Sequence, residues 1–339
     1  MSLPDEPISL PLSISDRGSF ERHTIAYHRE LLVHCYRILG SVHDAEDAVQ
    51  ESFLRAWRKL DSLREQASVR AWLYKIATNV SLDMLDRRKA RLLPPSIYPA
   101  ADPNETLPPP VVEPIWLEPL PDSFLDGANN DAVLNPESRY ELKESLTLAF
   151  LTLLQELPGR QRVVLILRDV MGWKAQEVAD LLDVSVVAVN SALQRARAKL
   201  NGQQIEKPLR ALNDNTARLL TRYVSAWEAA DSSSLIALLR EDAILTMPPI
   251  PAWYRGRSEI KTLIESVVFA GRSAGHFRLV STSANNAPAF VVYERTANNT
   301  FHPTAIQVLM VRDDKIARMD DFIAPDPELI SRFERPVFD

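Results

Sequence analysis

Between Ser185 and Arg197, the side chains Ser185, Val187, Asn190, Ser191, Gln194, Arg195 and Arg197 recur at spacings that gather them on the outer side of one helix. Asn and Gln amides pair with adenine edges, and Arg guanidiniums pair with guanine or phosphate. The intervening Val189, Leu193, Ala196 and Leu200 make an inward stripe. Upstream, residues 172–182 (GWKAQEVADLL) carry Ala175, Val178, Ala179 and Leu182 on an apolar face. Asp183-Val184-Ser185 leaves only a tight turn between the two helices, with Ser185 as the N-cap of the second. That is helix-turn-helix spacing, with the second helix placed to read a DNA groove. A generic helical hairpin with a solvated polar face is the alternative.

Two earlier stretches also carry chemistry. In residues 44–60, Ala45, Val49, Phe53 and Ala56 face inward, while Asp47, Gln50, Glu51 and Leu54 form an acidic face with an exposed leucine. A solvated face has no use for Leu54; a partner surface does, because burying it contributes about 1.5–3 kcal/mol. In residues 70–91, Leu73, Ile76, Ala77, Val80 and Met84 face inward, and Trp72 and Tyr74 offer aromatic faces. Arg87, Arg88, Lys89 and Arg91 end that helix with a basic cluster. Rings beside cations suit single-stranded DNA, where bases stack and cations hold phosphate. A basic helix end also complements the helix dipole, and Trp72 as a core residue is the competing assignment.

The elements that position these groups follow from composition. The chain has 339 residues, 46% hydrophobic and 25% charged, which suggests two or three domains. Net charge is −6, so bulk charge does not advertise nucleic-acid binding. Its distribution is more telling. Residues 94–136 contain seven acids and no Lys or Arg, and ten prolines fall between Pro94 and Pro121. This acidic stretch separates two mildly basic segments and is expected to be a linker, partly polyproline-like and otherwise disordered. The boundaries expected are a tail over 1–19, a helical domain over 20–93, the linker over 94–136, a second helical domain over 137–203 and a last domain over 212–335. In that last domain helices are expected at 213–231 and 256–270. Strands are expected at Phe277–Ser283, Ala289–Thr296, Thr304–Arg312 and Lys315–Ile323, with a hairpin turn at Asp313-Asp314. Helices first and strands later make an α+β unit with one curved sheet.

Cys35 is the single cysteine, which excludes an internal disulfide and points to a reducing, cytoplasmic setting. No apolar run is long enough to span a bilayer, and MSLPDEPISL has no basic region of a secretory signal. The six histidines show no metal-ligand spacing, so no metal or cofactor is assigned.

The stretches DAEDAVQESFLRAWRKL and RAWLYKIATNVSLDMLDRR resemble the conserved core of the sigma-70 superfamily, of the extracytoplasmic-function (ECF) kind. LPGRQRVVLILRDVMGWKAQEVADLLDVSVVAVNSALQRARAKL resembles the promoter-reading C-terminal domain of the same family. The resemblance implies a transcription initiation factor and not an enzyme. Its partners would be core RNA polymerase, through the largest-subunit clamp helices and the flap, and promoter DNA. Asp47, Gln50, Glu51 and Leu54 would meet the clamp helices. Trp72, Tyr74, Asn79, Arg87 and Arg88 would meet the melted downstream element, and the loop Asp61 to Val69 would capture a flipped base. Asp83 also stands at a motif position. Ser185 to Arg197 would read the upstream element. The two elements lie about 70 Å apart at ~35 Å a turn, which a Pro-rich connector of this length spans at ~3.1 Å a residue. The linker's acids would suit threading through the basic channel that later holds RNA; a passive tether is the alternative.

DAILTMPPIPAWYRGRSEI, followed by a helix and strands, resembles a SnoaL-like cone of the nuclear-transport-factor-2 (NTF2) type. The fold class implied is therefore multidomain: a helical bundle, a helix-turn-helix domain and an α+β NTF2-like cone. A pocket would be lined by Met247, Trp253, Tyr254, Phe269, Tyr293 and Asp320. Asp242, His276, His302 and Asp320 are raw material for proton transfer, but no complete catalytic motif is present. The cone is expected to modulate the sigma domains in cis. The rivals are a stand-alone helix-turn-helix regulator and a fusion with an active isomerase or hydrolase. The promoter, the inducing signal, any ligand and any anti-sigma partner stay open.

Overall fold

The computed structural model describes residues 24–60, 68–111, 113, 115–125, 145–201 and 213–333. The expected tail over 1–19 lies outside the described residues, as does most of the base-capturing loop Asp61 to Val69. The stretches 126–144 and 202–212, which hold the expected ends of the linker and of the domains around it, lie outside them too.

Helices α1 (His28–Leu39), α2 (Val42–Arg58) and α3 (Val69–Leu85) form a bundle. Their ends have local causes. The Ser41 hydroxyl accepts from the Asp44 N–H at 3.1 Å, and the Ser68 hydroxyl caps α3 by accepting from Ala71 N–H. α1 stops at Gly40, whose φ is 74° and where a Cβ would lie 2.6 Å from Leu117. The second helical unit is α4 (Leu148–Gln155), α5 (Gly159–Leu165) running into a π turn at Ile166–Val170, α6 (Ala175–Leu182) and α7 (Val186–Leu200).

The two helical units touch. Buried Arg162 of α5 donates to the Ile38 carbonyl at the end of α1 and to Gln155 Oε1. Burial pulls its pKa down to about 10, so it stays charged and bonded. Lys75 of α3 reaches across to Asp183 (2.6 Å) and to the Asp180 carbonyl (3.1 Å) at the end of α6.

The last third comprises α8 (Asp214–Glu228), α9 (Ser232–Ala237), β1 (Leu239–Thr246), β2 (Trp253–Arg255), α10 (Arg257–Leu263), β3 (Phe277–Ala284), β4 (Ala287–Arg295), β5 (Phe301–Arg312), β6 (Lys315–Ile323) and α11 (Pro327–Ser331). One sheet runs β2-β1-β6-β5-β4-β3, with β1 parallel to β6 and every other pair antiparallel. The four expected strands are present. β1 and β2 were not expected, because Arg240, Glu241 and Asp242 interrupt the alternation of β1 and β2 is three residues long. The hairpin at Asp313-Asp314 is as expected, with both residues left-handed (φ 52° and 55°).

This sheet is apolar on both faces. Phe290, Val292, Leu309 and Met319 face inward with Tyr223 and Trp227 of α8. Ala289, Val291, Ile306, Val308 and Phe322 face outward, in one continuous cluster with residues of both helical units, among them Leu31, Tyr36, Leu151 and Val163.

The linker departs from expectation. Its described part is packed rather than disordered. Leu93, Trp116, Leu117 and Leu120 are buried. Leu92 and Leu117 exchange backbone bonds with Ile115 and Leu92. Further along, Ala101 N–H donates to the Trp253 carbonyl, Trp253 Nε1 donates to the Tyr98 carbonyl, and Val111 N–H donates to the Pro249 carbonyl. The prolines hide this outcome, because Pro supplies no donor and reads as disorder. The apolar residues between them carry the packing. Two linker acids are already paired: Glu113 with Lys89, and Glu118 with Arg91 and His43.

One side chain ties the pieces together. Asn285 sits left-handed (φ 53°) at the β3–β4 hairpin tip and is buried. Its Nδ2 donates to the Tyr36 hydroxyl (2.8 Å) and the Leu146 carbonyl (2.9 Å), and its Oδ1 accepts from Leu120 N–H (2.9 Å). Tyr36 in turn donates to the Glu118 carbonyl at 2.7 Å. The first bundle, the linker and the entry to α4 thus meet at one amide. Asn285→Ala takes the partner from Leu120 N–H and the Leu146 carbonyl, while Tyr36 keeps its bond to Glu118, and should cost on the order of 2–6 kcal/mol at ~1–3 for each of the two groups. Chemical denaturation of the full chain measures this. A loss below about 1 kcal/mol would show that the amide does not join the domains.

Candidate nucleic-acid and polymerase interface

The helix expected to read DNA is α7. Ser185 is its N-cap, its hydroxyl accepting from Ala188 N–H at 3.2 Å, and Asp183 makes the turn in the left-handed region (φ 54°). Lys174 N–H donates to Glu177 at 2.6 Å, which starts α6 at Ala175 rather than at the expected 172. Val189, Ala192, Leu193 and Ala196 are buried. Ser185, Val187, Asn190, Gln194, Arg195 and Arg197 are exposed and Ser191 is half-buried, so all seven expected residues share the outer side. Val187 is 74% exposed. Arg197 is held by Asp169, with bonds of 2.8 and 2.6 Å, which leaves Arg195 as the cation of this face with no such bidentate carboxylate.

The acidic face of α2 is present. Asp47 and Gln50 are exposed, Glu51 is half-buried and bound to Arg55 at 2.7 Å, and Leu54 is 53% exposed. Trp57, one turn further on, is also exposed and was not singled out in the sequence. Its spacing of three from Leu54 was the available signal.

The α3 set divides. Asn79, Arg87 and Arg88 are exposed and Trp72 is half-buried. Tyr74 is not an exposed aromatic: it is 1% exposed, against His34 (4.8 Å between centroids) and Trp173 (5.4 Å). It packs the first bundle against the second helical unit. Helical spacing cannot show this, because the covering residue Trp173 comes from a distant segment. Arg91 leaves the basic cluster as well, being buried and paired with Asp44, which also binds Arg88. Asp83 is bound to Arg55 at 2.9 Å.

Of the six expected pocket residues the structure brings only Met247 to the cavity of the cone. That cavity, about 190 Å³, is lined among others by Trp227, Met247, Phe277, Glu294, Gln307 and Asp321. Tyr293 and Asp320 lie on the outer face, where Asp320 accepts from the Thr246 hydroxyl (2.8 Å) and from Arg318 (2.9 Å). Strand alternation puts Asp321, not Asp320, inside. Tyr254 is buried in the inner core, Trp253 is bound to the linker, and Phe269 packs edge-on to Trp227 at 5.3 Å. Asp242 is an exposed partner of Arg240, His276 is bound to Glu294 at 2.8 Å, and exposed His302 is 3.3 Å from the Thr300 hydroxyl.

Residues 25–91 match the sigma-70 region 2 family, residues 147–200 sigma-70 region 4, and residues 220–319 the SnoaL-like domain. A region 2 bundle followed by a region 4 helix-turn-helix defines a sigma-70 type factor, here with a third domain appended. The chain is 43% identical over 330 residues to the ECF RNA polymerase sigma factor SigG of Mycobacterium tuberculosis, covering 94% of this chain and 85% of that one. It is 28% identical over 189 residues to the ECF sigma factor SigW of Bacillus subtilis, covering 56% of this chain and 90% of the relative. The fold is similar to the crystal structure of the M. tuberculosis ECF sigma factor SigJ, with a TM-score of 0.58 and 22% identity over 92% of this chain and 98% of that one. The chain belongs to the ECF sigma factor family, and it is not an enzyme. No helix among the described residues is long and apolar enough to cross a membrane.

Inside the cone, burial first and the Asp320 charge second push the Asp321 carboxyl up to about 7. Between the ordinary carboxylate range and pH 7, the folded chain holds a proton that the unfolded chain has lost. Stability therefore falls as pH rises through that window. Asp321→Asn should flatten this slope, which is worth on the order of a few kcal/mol. Unfolding curves for both proteins at pH 5 and pH 8 test it, and equal pH dependence would sink the assignment.

Proposed function

We propose that this chain is a specificity subunit of bacterial RNA polymerase, working in the cytoplasm, whose SnoaL-like domain holds it compact until polymerase spreads it over a promoter. In this reading Asp47, Gln50, Glu51 and Leu54 meet the clamp helices. Ser185, Val187, Asn190, Ser191, Gln194, Arg195 and Arg197 read the upstream element. Trp72, Asn79, Arg87 and Arg88 meet the melted element, while Tyr74 supports them from inside. One observation carries the compact form: the outer face of the sheet lies in one buried apolar cluster with both helical units, which also meet at Tyr74 and Trp173, so the two readers sit together. Promoter elements about 70 Å apart require them to separate. A ligand or partner opens the chain only by binding the open form better.

Transcription in vitro with purified core enzyme tests the assignment. Leu54→Asp should lower core-dependent transcription about 10–100-fold, the worth of one buried leucine, with unfolding unchanged. Asn190→Ala combined with Gln194→Ala should lower transcription from specific promoters and leave core binding intact. Removing the residues after about 203 should alter output. If output stays the same at every target promoter, the regulatory part of the reading fails.

A further inference from the structure

His43 is the second residue of α2 and stands beside a cleft against the linker, lined also by Glu118, Trp116, Pro249, Phe322 and Asp326. Glu118 fixes its ring. One carboxylate oxygen accepts from Val42 N–H (2.8 Å) and from His43 Nδ1 (3.1 Å). In the neutral ring that bond sets the tautomer, with the proton on Nδ1 and the lone pair on Nε2. Nε2 is buried and has no hydrogen-bond partner. A buried ring nitrogen left unbonded requires an explanation.

Two carboxylates from the other end of the fold approach it. Asp326 and Glu328 start α11, and the donor atoms of His43, Asp326 and Glu328 all lie within 4.8 Å of one another. Each acid has one oxygen engaged elsewhere: Asp326 Oδ1 accepts from Glu328 N–H (2.7 Å), and Glu328 Oε1 accepts from Arg332 (3.0 Å). The second oxygen of each is available. Arg332 is itself committed to Glu46. Nε2 makes no hydrogen bond to either acid, and donor atoms gathered within 4.8 Å leave an ion as the group that could join them. Donors at ~2.1 Å from a tetrahedral ion lie about 3.4 Å apart, and the exposed Asp326 and Glu328 side chains close that gap by rotation. A neutral imidazole and two carboxylates carry two negative charges. A nitrogen donor disfavours Mg²⁺ and Ca²⁺ and favours Zn²⁺ or a like transition ion. Glu118 behind the ring completes a carboxylate–histidine–metal relay.

We infer that His43, Asp326 and Glu328 form a divalent transition-metal site, most suited to Zn²⁺, that clasps the start of α2 to the segment after β6. The histidine comes from region 2, the carboxylates follow the SnoaL-like domain, and the orienting acid comes from the linker, so an ion here ties all three. Control of transcription by that ion rests on the compact form proposed above; binding does not.

The test uses the full chain without an affinity tag, stripped with a chelator and desalted, then titrated with Zn²⁺ against a chromophoric competitor. One ion per chain with micromolar or tighter affinity is expected, together with a rise in unfolding temperature. His43→Gln and Glu328→Gln should each weaken binding at least tenfold. Glu328 is exposed, so its variant keeps the fold if His43→Gln does not. No binding, millimolar binding only, or equal affinity in Glu328→Gln overturns the site. Transcription separates the two ideas: Zn²⁺ should lower output of the wild type and spare Glu328→Gln. Tight binding with unchanged output overturns the compact form as a control point and leaves the site standing.

Discussion

The outer face of the C-terminal sheet has little cover of its own beyond the short α11 and Phe333. α8 and α10 fill the inside of the cone, but Val291, Ile306, Val308 and Phe322 point the other way and are buried in one cluster with helices of both sigma units, the linker and α11. Burial of each such side chain contributes about 1.5–3 kcal/mol. Four of them amount to roughly 6–12 kcal/mol, comparable with the whole stability of an ordinary domain. A nanomolar partner supplies about 12 kcal/mol. Full exposure of this face would therefore consume most of what a partner of that affinity offers. If the chain opens as proposed above, uncovering only part of the face, with the cone staying on one helical unit, costs correspondingly less.

The linker fits that mechanics better than a free tether would. Its acids are not a diffuse field, since Glu118 holds His43, Arg91 and the first amides of α2, and Glu113 holds Lys89. Exposed pairs such as Glu113–Lys89 are worth little. Glu118 is different, because it is half-buried beside Leu117 and caps a helix. Burial alone would raise its carboxyl, but the hydrogen bond from His43 and the Arg91 guanidinium outweigh it and hold the group below its ordinary range. Threading this segment through a basic channel would first require those local partners to be replaced.

Helical periodicity, Ser caps and the Asp-Val-Ser turn made both sigma units readable, because these signals are local. The seven α7 residues needed only one helix face to be right. What failed was non-local. Tyr74 looked exposed since its cover, Trp173, arrives from another domain. Asp320 and Asp321 differ by a single step of strand alternation, and the sequence does not say which face is the inside when both faces are apolar. β1 was hidden by Arg240, Glu241 and Asp242 on its rim. In the linker, proline drew attention away from Leu93, Trp116, Leu117 and Leu120. Asn285 gave one signal, a turn-forming Asn-Asn pair between strands, but nothing local says that its amide reaches Tyr36.

The reading helix also explains why such a chain depends on a larger partner. Salt-sensitive affinity for DNA grows with the number of phosphates neutralised. On the outer side of α7 the cations are Arg195 and Arg197, and Arg197 is held by two bonds to Asp169. In region 2, Arg91 is buried and Arg88 is paired with Asp44, which leaves Arg87 and Lys89 at the end of α3, the latter beside Glu113. Net charge is −6 overall. A face this sparse in free cations can select a sequence once held in place but cannot by itself hold the duplex. On the reading proposed above, the polymerase supplies the grip, and the compact arrangement costs the unbound chain little.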